Sequence, residues 1–268
     1  MIGGQISRYM MRPRSFSGAV FICALVLGHW CAPALAGPEI LPEAVHGAVV
    51  RVIDATTLRI DGLDGVVRLA ALQVAKGDDG WTELARAKLV SLTENHVVSV
   101  RTIATDRDNR IVAHMTRDDG LWLQAEMIRA GVARLTVNAD TASFAQDLLA
   151  VEEDARRHKR GLWSDRDFAV RDATDVAALY RDAGTFQLVQ GQVVEAVRRG
   201  DMIYLNFGDD YHHAFAVQIP RSSWALFNGT VYKLTKLAGR RIRAHGWITR
   251  AHAPAMEVTV PDMLEVLP

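Results

Sequence analysis

The chain has 268 residues, with 31 lysines and arginines, 31 aspartates and glutamates, nine histidines and 49% hydrophobic residues. This composition is typical of a globular protein and excludes a disordered chain and a protein with many membrane spans. Residues 1–36 contain three arginines and no acid, so the residues after them carry 28 basic and 31 acidic side chains, a formal net charge of −3. A strongly basic protein that coats DNA is therefore excluded.

Residues 1–36 have the three parts of a secretory signal peptide. They are a charged start that ends at Arg14, an apolar run over residues 19–27, and the small-residue site Ala34-Leu35-Ala36. The apolar run is about half the roughly 20 residues that a membrane-spanning helix needs. We therefore expect a periplasmic or secreted protein with no membrane span in the mature chain. An uncleaved membrane anchor is the alternative interpretation.

Both cysteines, Cys23 and Cys31, lie inside this leading segment. The rest of the chain can therefore have no disulfide framework, no cysteine-ligated zinc or iron–sulfur site, and no thiol nucleophile. A chain without thiols suits an oxidising compartment, because it cannot mispair.

Short β-branched segments, separated by turn residues, begin at His46 and alternate with helical patterns. The predicted strands cover residues 49–53, 57–60, 66–69, 97–101 and 111–113, and the predicted helices cover residues 81–95, 123–130 and 143–159. Three strands, a helix and further strands are the order of a small closed barrel of the OB type. We predict such a domain over residues 46–163.

Residues 164–184 contain eight charged side chains and are predicted to be a solvated, partly helical linker. Strand patterns then resume and continue through the C-terminal region. The predicted strands cover residues 186–197, 202–207, 215–219, 241–248 and 256–260, with a short helix at 220–227. This order repeats that of the first domain, so we predict a second, OB-like β-barrel over residues 185–268. The predicted fold class is mainly β with helices, α+β, with two barrels.

Four sequence features between residues 49 and 163 resemble landmarks of the staphylococcal nuclease (thermonuclease) family in order and spacing. They are Asp54-Ala55-Thr56-Thr57 after a strand, Arg68-Leu69 leading to Gln73-Val74-Ala75-Lys76, the turn Asp106-Arg107-Asp108-Asn109-Arg110, and Gly161-Leu162-Trp163 at the end of a helix. The resemblance covers about half of the chain after residue 36. It implies a nuclease-type OB barrel and a site for phosphodiester chemistry.

The resemblance implies that Arg68 and Arg110 bind phosphate, since they stand at the family's two phosphate-binding arginines. Lys76 stands where the family has its general-base glutamate. Phosphodiester hydrolysis needs a carboxylate that orients or deprotonates water, a hard cation, and cationic groups that stabilise charge on phosphorus. An ammonium group has no lone pair to accept a proton, so the sequence predicts anion binding at Arg68, Arg110 and Lys76 without a general base.

The family's calcium-binding positions are also changed. Thr56 and Gln73 stand in place of two aspartates, and Val74 follows in place of a threonine. Together with Lys76, these replacements change the formal charge of the three acidic positions from −3 to +1. Asp54 remains, but a single carboxylate is a poor cage for a divalent ion. We therefore expect no cofactor, with Ca²⁺ bound only if the protein is an active nuclease.

Three functions stay open at this point. The first is an exported nuclease-family protein with a degenerate active site that binds nucleic acid, another phosphate-bearing ligand or an unidentified protein partner. The second is an active metal-dependent nuclease in which Asp78, Asp79 or Glu83 replaces the missing carboxylates. The third is an envelope scaffold or interaction protein that binds no nucleic acid.

The second domain offers one further candidate surface. Arg241 and Arg243 lie on one face of a predicted strand, and Tyr204, Phe207 and Trp247 are aromatic side chains on which bases can stack. Packing in the core is the alternative role of these aromatics.

The histidines lack metal-ligand spacing. His212 and His213 are neighbours, so on a strand they would face opposite sides. The others are predicted to lie on the surface or at a barrel rim, and include His46, His114, His245 and His252.

Overall fold

The computed structural model describes residues 44–76, 80–210, 212–227, 231–250 and 252–268. All of them belong to one compact unit. The predicted secretory signal, with both cysteines, lies outside the described residues, as do Asp78 and Asp79. Within the described ranges, none of the helices combines the length and the apolar character that a membrane crossing requires.

The N-terminal half of the described chain contains seven strands and three helices. They are β1 (Val45–Val52), β2 (Thr57–Ile60), β3 (Val67–Leu69), β4 (Leu72–Gln73), α1 (Trp81–Thr93), β5 (Val97–Thr105), β6 (Ile111–Arg117), α2 (Leu123–Arg129), β7 (Arg134–Leu135) and α3 (Ala145–Arg157). Five of the strands close a barrel in the order β1-β2-β3-β6-β5, with β5 paired to β1. This confirms the closed barrel predicted for the first domain and the α+β fold class.

The alternation of side chains along each strand decides which face enters the barrel core. In β3, Val67 and Leu69 are buried and Arg68 points outward between them. The strand runs parallel to β6, with Arg68 opposite Val112. A barrel strand therefore presents one cation to the surface while its neighbours anchor it in the core.

The Gly161-Leu162 feature has a structural reason. Gly131, which follows α2, and Gly161, which follows α3, both have positive φ angles, 69° and 52°. A Cβ atom on Gly131 would lie 2.1 Å from the Arg160 carbonyl oxygen, and the Leu162 N–H donates to the Gly131 carbonyl at 2.8 Å. Only glycine allows the ends of the two helices to approach this closely.

The C-terminal half contains two short helices and eight strands. They are β8 (Arg171–Asp172), α4 (Val176–Arg181), β9 (Phe186–Gln192), β10 (Glu195–Arg199), β11 (Met202–Asn206), β12 (Ala216–Pro220), α5 (Val231–Leu234), β13 (Arg241–Arg250), β14 (Pro254–Glu257) and β15 (Leu264–Val266). These strands form one sheet in the order β10-β11-β12-β14-β13-β9-β8, and β15 pairs with β13. A second closed barrel is not confirmed.

The single strand predicted over residues 186–197 divides into β9 and β10 at Val193 and Val194. The N–H of Val193 donates to the Arg240 carbonyl at 2.9 Å, and that of Val194 donates to the Asn206 carbonyl at 2.8 Å. The two halves therefore pair with different strands, β9 with β13 and β10 with β11. An unbroken run of strand-forming residues gives no sign of this change of partner.

Residues 164–184, predicted to be a linker, contain a 3-10 helix at Arg166–Phe168, strand β8 and helix α4. Strand β8 pairs in parallel with β9, and the Arg171 Nε donates to Asp182 Oδ2 at 2.6 Å. The segment is partly helical, as expected, and it also extends the C-terminal sheet. The predicted domain boundaries at 163 and 185 stay predictions.

Candidate functional site

Arg68 and Arg110 meet at one carboxylate on the barrel surface. The Arg110 Nε donates to Asp106 Oδ2 at 2.8 Å, and Arg68 Nη1 lies 4.0 Å from the same oxygen. Arg68 comes from the middle of β3, and Arg110 precedes β6, its parallel neighbour. We call Arg68, Asp106 and Arg110 the arginine cluster. The structure therefore brings together the two arginines that the sequence identified.

The turn between β5 and β6 fixes Arg110. The Asp106 Oδ1 accepts the backbone N–H groups of Asp108 and Arg110, each at 3.0 Å, and the Asp106 N–H donates to the Arg110 carbonyl at 3.0 Å. Asn109 has a φ of 57°, a conformation that asparagine adopts more readily than most residues. Asp108 also pairs with the Arg110 guanidinium at 2.7 Å. The Asp-x-x-x-Arg spacing thus builds a closed turn that orients Arg110.

The charges in the cluster support one another. Partial burial pushes the pKa of Asp106 upward, but hydrogen bonds from the Arg110 N–H and guanidinium and from the Asp108 N–H leave it below its ordinary value. The pKa of Arg110 is raised, mainly by the hydrogen bond to Asp106, with additional attraction from Asp108 and Asp54. Both groups are therefore charged at neutral pH, and Asp54 lies close enough to contribute to the same field.

Arg68 is the more accessible of the two arginines. Its side chain is 38% exposed, compared with 29% for Arg110. Arg110 pairs with two carboxylates, whereas the ion pair described for Arg68 is the long one to Asp106. Arg68 therefore has the more available guanidinium for an incoming anion.

The Asp54 carboxylate forms hydrogen bonds within its own turn. Its Oδ1 accepts the N–H groups of Thr56 and Thr57, both at 2.8 Å, and the Thr56 hydroxyl at 3.2 Å. Thr56 is buried and its hydroxyl is directed at Asp54. One oxygen of this carboxylate and the nearest hydroxyl are therefore occupied by local hydrogen bonds.

The other residues of interest after β3 make contacts with residues outside the arginine cluster. Gln73 pairs with Arg134 between β4 and β7, and its Nε2 donates to the Val74 carbonyl at 3.0 Å. The Lys76 Nζ lies 5.5 Å from the ring centroid of Trp247 in β13, within the range of a cation–π contact. Among the described residues, the ion pairs of Asp106, the carboxylate of the arginine cluster, are with Arg68 and Arg110 and not with Lys76.

The alternative of an active nuclease relied on carboxylates near α1 to replace the missing ligands. Asp78 and Asp79 lie outside the described residues, and Glu83 pairs with Arg86 at 2.8 Å on the exposed surface of α1. In the described part of the chain, no group of three or more histidine, aspartate, glutamate or cysteine side chains is arranged to hold a metal ion.

Arg241 and Arg243, the second predicted pair, have different surroundings. Arg241 is exposed at the start of β13. The Arg243 side chain is only 11% exposed and its Nη1 lies 3.3 Å from Glu153 of α3 and 3.2 Å from Glu265 of β15. Arg243 therefore connects the C-terminal sheet to helix α3.

Arg243 belongs to a set of charged residues that we call the buried charge network. Its members are Glu152, Arg156, Arg243, His245 and Glu265. The His245 Nε2 lies 2.7 Å from Glu265 Oε1, and its Nδ1 lies 3.7 Å from Glu152 Oε2. Burial raises the pKa of Glu265, but the hydrogen bond to His245 and the nearby cations lower it overall to about 2. The prediction that His245 lies on the surface is wrong, because this residue is fully buried.

His114 was also predicted on the surface and is also fully buried. Its ring lies 4.9 Å from Phe144 and 5.5 Å from Trp122, measured between centroids, and no hydrogen bond to either ring nitrogen is described. Burial lowers the pKa of His114 to about 4. The prediction was wrong because a single polar residue in a strand pattern does not reveal which face it occupies.

Sequence reasoning missed a second buried cation, Arg134 in β7. Its Nη2 donates to the Phe186 carbonyl at 2.8 Å, and its guanidinium lies over the rings of Phe168 and Phe186 at 5.3 and 5.2 Å. Burial lowers the pKa of Arg134 to about 10.

Two of the aromatic side chains considered for base stacking differ in exposure. Phe207 is in the core, at 4% exposure, which was its alternative role, whereas Trp247 is 43% exposed.

Comparison with known proteins matches the region that contains the arginine cluster. Residues 67–165 match the family described as "Staphylococcal nuclease homologue". A protein of Escherichia coli named "Uncharacterized endonuclease" is 31% identical over 130 residues, which is 48% of this chain and 83% of that protein. A protein with the same name from Escherichia coli O157:H7 is 30% identical, with the same coverage.

Proposed function

The chain belongs to the staphylococcal nuclease homologue family, and from this premise we propose that it binds a phosphate-bearing ligand at the arginine cluster without hydrolysing it. The exposure of Arg68 beside a fixed Arg110 carries this proposal. Guanidinium groups bind phosphate through charge-assisted hydrogen bonds, and a pair of them recognises an anion with defined geometry. Nucleic acid is the ligand class that we propose, with any protein partner unidentified.

The residues at the predicted metal positions do not fit a calcium ion. Calcium takes six to eight oxygen ligands, several of them charged. Thr56 and Gln73 supply no charge, Val74 supplies no side-chain oxygen, and Asp54 has one oxygen engaged in its turn. These observations support binding without a metal, and no step of hydrolysis is assigned to these residues.

Lys76 gives the second argument against hydrolysis. At the family's general-base position it has no carboxylate to offer, and its ammonium group lies over Trp247. A general base must reach the water whose proton it accepts. The cation–π contact supports a structural role for Lys76, in place of a chemical one.

Active phosphodiester hydrolysis is the second candidate function. It is favoured by the name of the two relatives from Escherichia coli, which describes those proteins as endonucleases. For this chain it would require a carboxylate set other than the residues at positions 56, 73 and 76. A scaffold function without nucleic acid has no specific support in the described contacts.

Two further parts of the proposal concern location and architecture. Residues 1–36 support export to the periplasm or the medium. The change of partner at Val193 and Val194 supports an OB-like C-terminal domain, because it lets one bent segment pair with both β11 and β13. A bent first strand that pairs at both ends is one way to close a small barrel.

The experiment measures binding of fluorescent single-stranded DNA to the full protein by anisotropy at several salt concentrations. Replacing Arg68→Ala is expected to weaken binding about tenfold and to lower the slope of affinity against salt by about one, since one phosphate contact is lost. Arg110→Ala should weaken it as well. The control is Arg157→Ala on α3, whose side chain is 64% exposed and which should leave binding unchanged.

The same samples are incubated with DNA and calcium, magnesium or manganese. We expect no cleavage above a blank preparation. Metal-dependent cleavage that disappears in the Arg68→Ala protein would establish the second candidate function. Equal binding by the wild type and both cluster variants would show that the arginine cluster does not bind the DNA.

A further inference from the structure

A cavity of about 300 Å³ lies on the outer face of the C-terminal sheet, formed by β10, β11, β12 and β14. The residues that matter for its chemistry are Arg199, Tyr204, Asn206, Gln218 and His252. This volume is at the lower end of the range for small-ligand sites, which combine an apolar surface with a few directed polar groups. The arginine cluster lies on the barrel of the first domain, so the cavity is a separate site.

Strand alternation builds the cavity. In β11, Ile203 and Leu205 are fully buried, so Tyr204 and Asn206 project from the opposite face. Tyr204 lies opposite Gln218, and Asn206 lies opposite Ala216 in β12. Ala216 is in turn opposite Ala255 in β14. Two neighbouring alanines leave a depression that the longer side chains of Tyr204 and Gln218 border.

The polar groups around this depression are only partly used by the protein. Asn206 is 4% exposed, and its Nδ2 donates to Glu195 Oε2 at 2.9 Å, which fixes the orientation of the amide. Among the described residues, the Asn206 Oδ1, the Gln218 amide and the Tyr204 hydroxyl have no hydrogen bond. A buried, oriented amide with an unused oxygen is a group that can recognise a polar ligand edge.

We propose that this cavity binds one base of a single-stranded nucleic acid. The base stacks on Tyr204, and its polar edge meets the side-chain amides of Asn206 and Gln218. Side-chain amides donate and accept at once, as the edges of bases do. The inference rests on the proposed function, because both sites would bind nucleic acid. The cavity would recognise a base, whereas the arginine cluster would recognise the phosphate.

The charge at the rim favours nucleic acid over a neutral sugar. Arg199 lies at the edge of the cavity with its side chain 49% exposed and its Nη2 4.0 Å from Glu195 Oε2, an ion pair long enough for the guanidinium to reach a ligand as well. A cation at the rim is placed to attract the phosphate that follows a bound base, since affinity for nucleic acid comes largely from phosphate contacts. A neutral oligosaccharide has no anionic group with which this guanidinium can form an ion pair.

The test uses the full protein and three probes: an eight-residue oligothymidylate, thymidine, and inorganic pyrophosphate. Tyr204→Ala is expected to weaken binding of the oligonucleotide by roughly 5- to 100-fold, the range found when one stacked base loses its aromatic partner. Tyr204→Phe keeps the ring and should retain wild-type affinity within about twofold. Leu226→Ala, which removes a 45% exposed apolar side chain of the C-terminal half outside the cavity, is the control and should bind normally.

The probes separate the two sites. Thymidine, which has a base and no phosphate, should lose affinity in Tyr204→Ala and keep it in Arg68→Ala, whereas pyrophosphate should show the reverse. If the oligonucleotide binds equally to wild type and Tyr204→Ala while pyrophosphate still depends on Arg68, the cavity inference is overturned and the proposed function stands. If only pyrophosphate fails to bind, the proposed function falls and the cavity stands. Tyr204-dependent binding of a neutral oligosaccharide with no nucleotide binding also overturns the inference.

Discussion

The arginine cluster and the buried charge network contain the same kinds of side chain in different surroundings. In the arginine cluster the Arg68 side chain is 38% exposed, so water screens its pairing with Asp106. In the buried charge network the side chains of Glu152 and His245 have no exposure at all. Exposed charges can exchange a protein partner for a ligand at small cost, whereas buried charges lose their only source of solvation. Burial, and not the residue type, therefore distinguishes an arginine that is available to a ligand from a structural one.

If burial separates the two kinds of charge, the largest loss of stability is expected when Glu152 is replaced. The Glu152 Oε1 accepts the Leu135 N–H at 2.7 Å, and its Oε2 lies 3.7 Å from both His245 Nδ1 and Arg156 Nη1. Removing this carboxylate in Glu152→Ala leaves the buried Leu135 N–H without its acceptor and takes one counterion from the buried network, and we expect the free energy of unfolding to fall by about 3–5 kcal/mol. Urea unfolding followed by circular dichroism measures the change.

The neighbouring Glu153 provides the control. Its side chain is 42% exposed although it pairs with Arg156 and Arg243. Glu153→Ala should lower the free energy of unfolding by about 1 kcal/mol or less, as exposed ion pairs usually do. Equal losses for the two variants would show that burial does not separate the two kinds of charge in this protein.

The second effect concerns His114, a buried titratable group that has no described partner. Its pKa of about 4 lies below the ordinary value of 6.5. Between these values the unfolded chain binds a proton that the folded chain does not bind. Stability therefore falls as the pH drops from about 6.5 to about 4, by a total of about 3 kcal/mol. The pKa of Glu265 is also lowered, so its contribution to the free energy of unfolding is lost in a more acidic range, as the pH falls from about 4.5 to about 2.

The variant His114→Phe keeps a ring between Trp122 and Phe144 and removes the titration. We expect its free energy of unfolding to stay nearly constant from pH 7 to pH 5, where that of the wild type declines. Urea unfolding at half-unit steps of pH measures both curves. The control His213→Phe changes a histidine whose side chain is 81% exposed, and should follow the wild type. A decline that persists in His114→Phe would assign the upper window to another group.

Much of the fold was predictable because local patterns carry it. Helices α1, α2 and α3 and the five barrel strands lie within a few residues of the predicted ranges, since hydrophobic periodicity reports which face of an element is buried. The two-residue strands β4, β7 and β8 were missed, because so short a pairing leaves no periodic signal. The break at Val193 and Val194 was missed because both sides of it favour strand conformation.

The site was predictable in part for the same reason. The positions of Arg68 and Arg110 follow from short motifs, and the structure places the two residues around one carboxylate. The contact of Asp106 with Arg68 and the burial of Arg243 depend on residues brought together by the tertiary fold. Arg243 meets Glu153 across 90 positions of the chain. A pattern within one strand cannot show such a partner, so Arg243 looked like Arg68 in the sequence.

The smallest expected effect is on anion binding at the exposed arginine cluster. Asp106 occupies the space between Arg68 and Arg110 that an anion would approach, and its side chain is 17% exposed. Asp106→Asn keeps an oxygen that can accept the N–H groups of Asp108 and Arg110 and removes the negative charge. We expect pyrophosphate to bind about 1.5- to 5-fold more tightly, since an exposed ion pair contributes about 0.2–1 kcal/mol. Calorimetric titration measures this change, with Asp154→Asn on α3 as the control. Weaker binding in Asp106→Asn would show that Asp106 serves the anion site mainly by orienting Arg110, and that its competition with the ligand is minor.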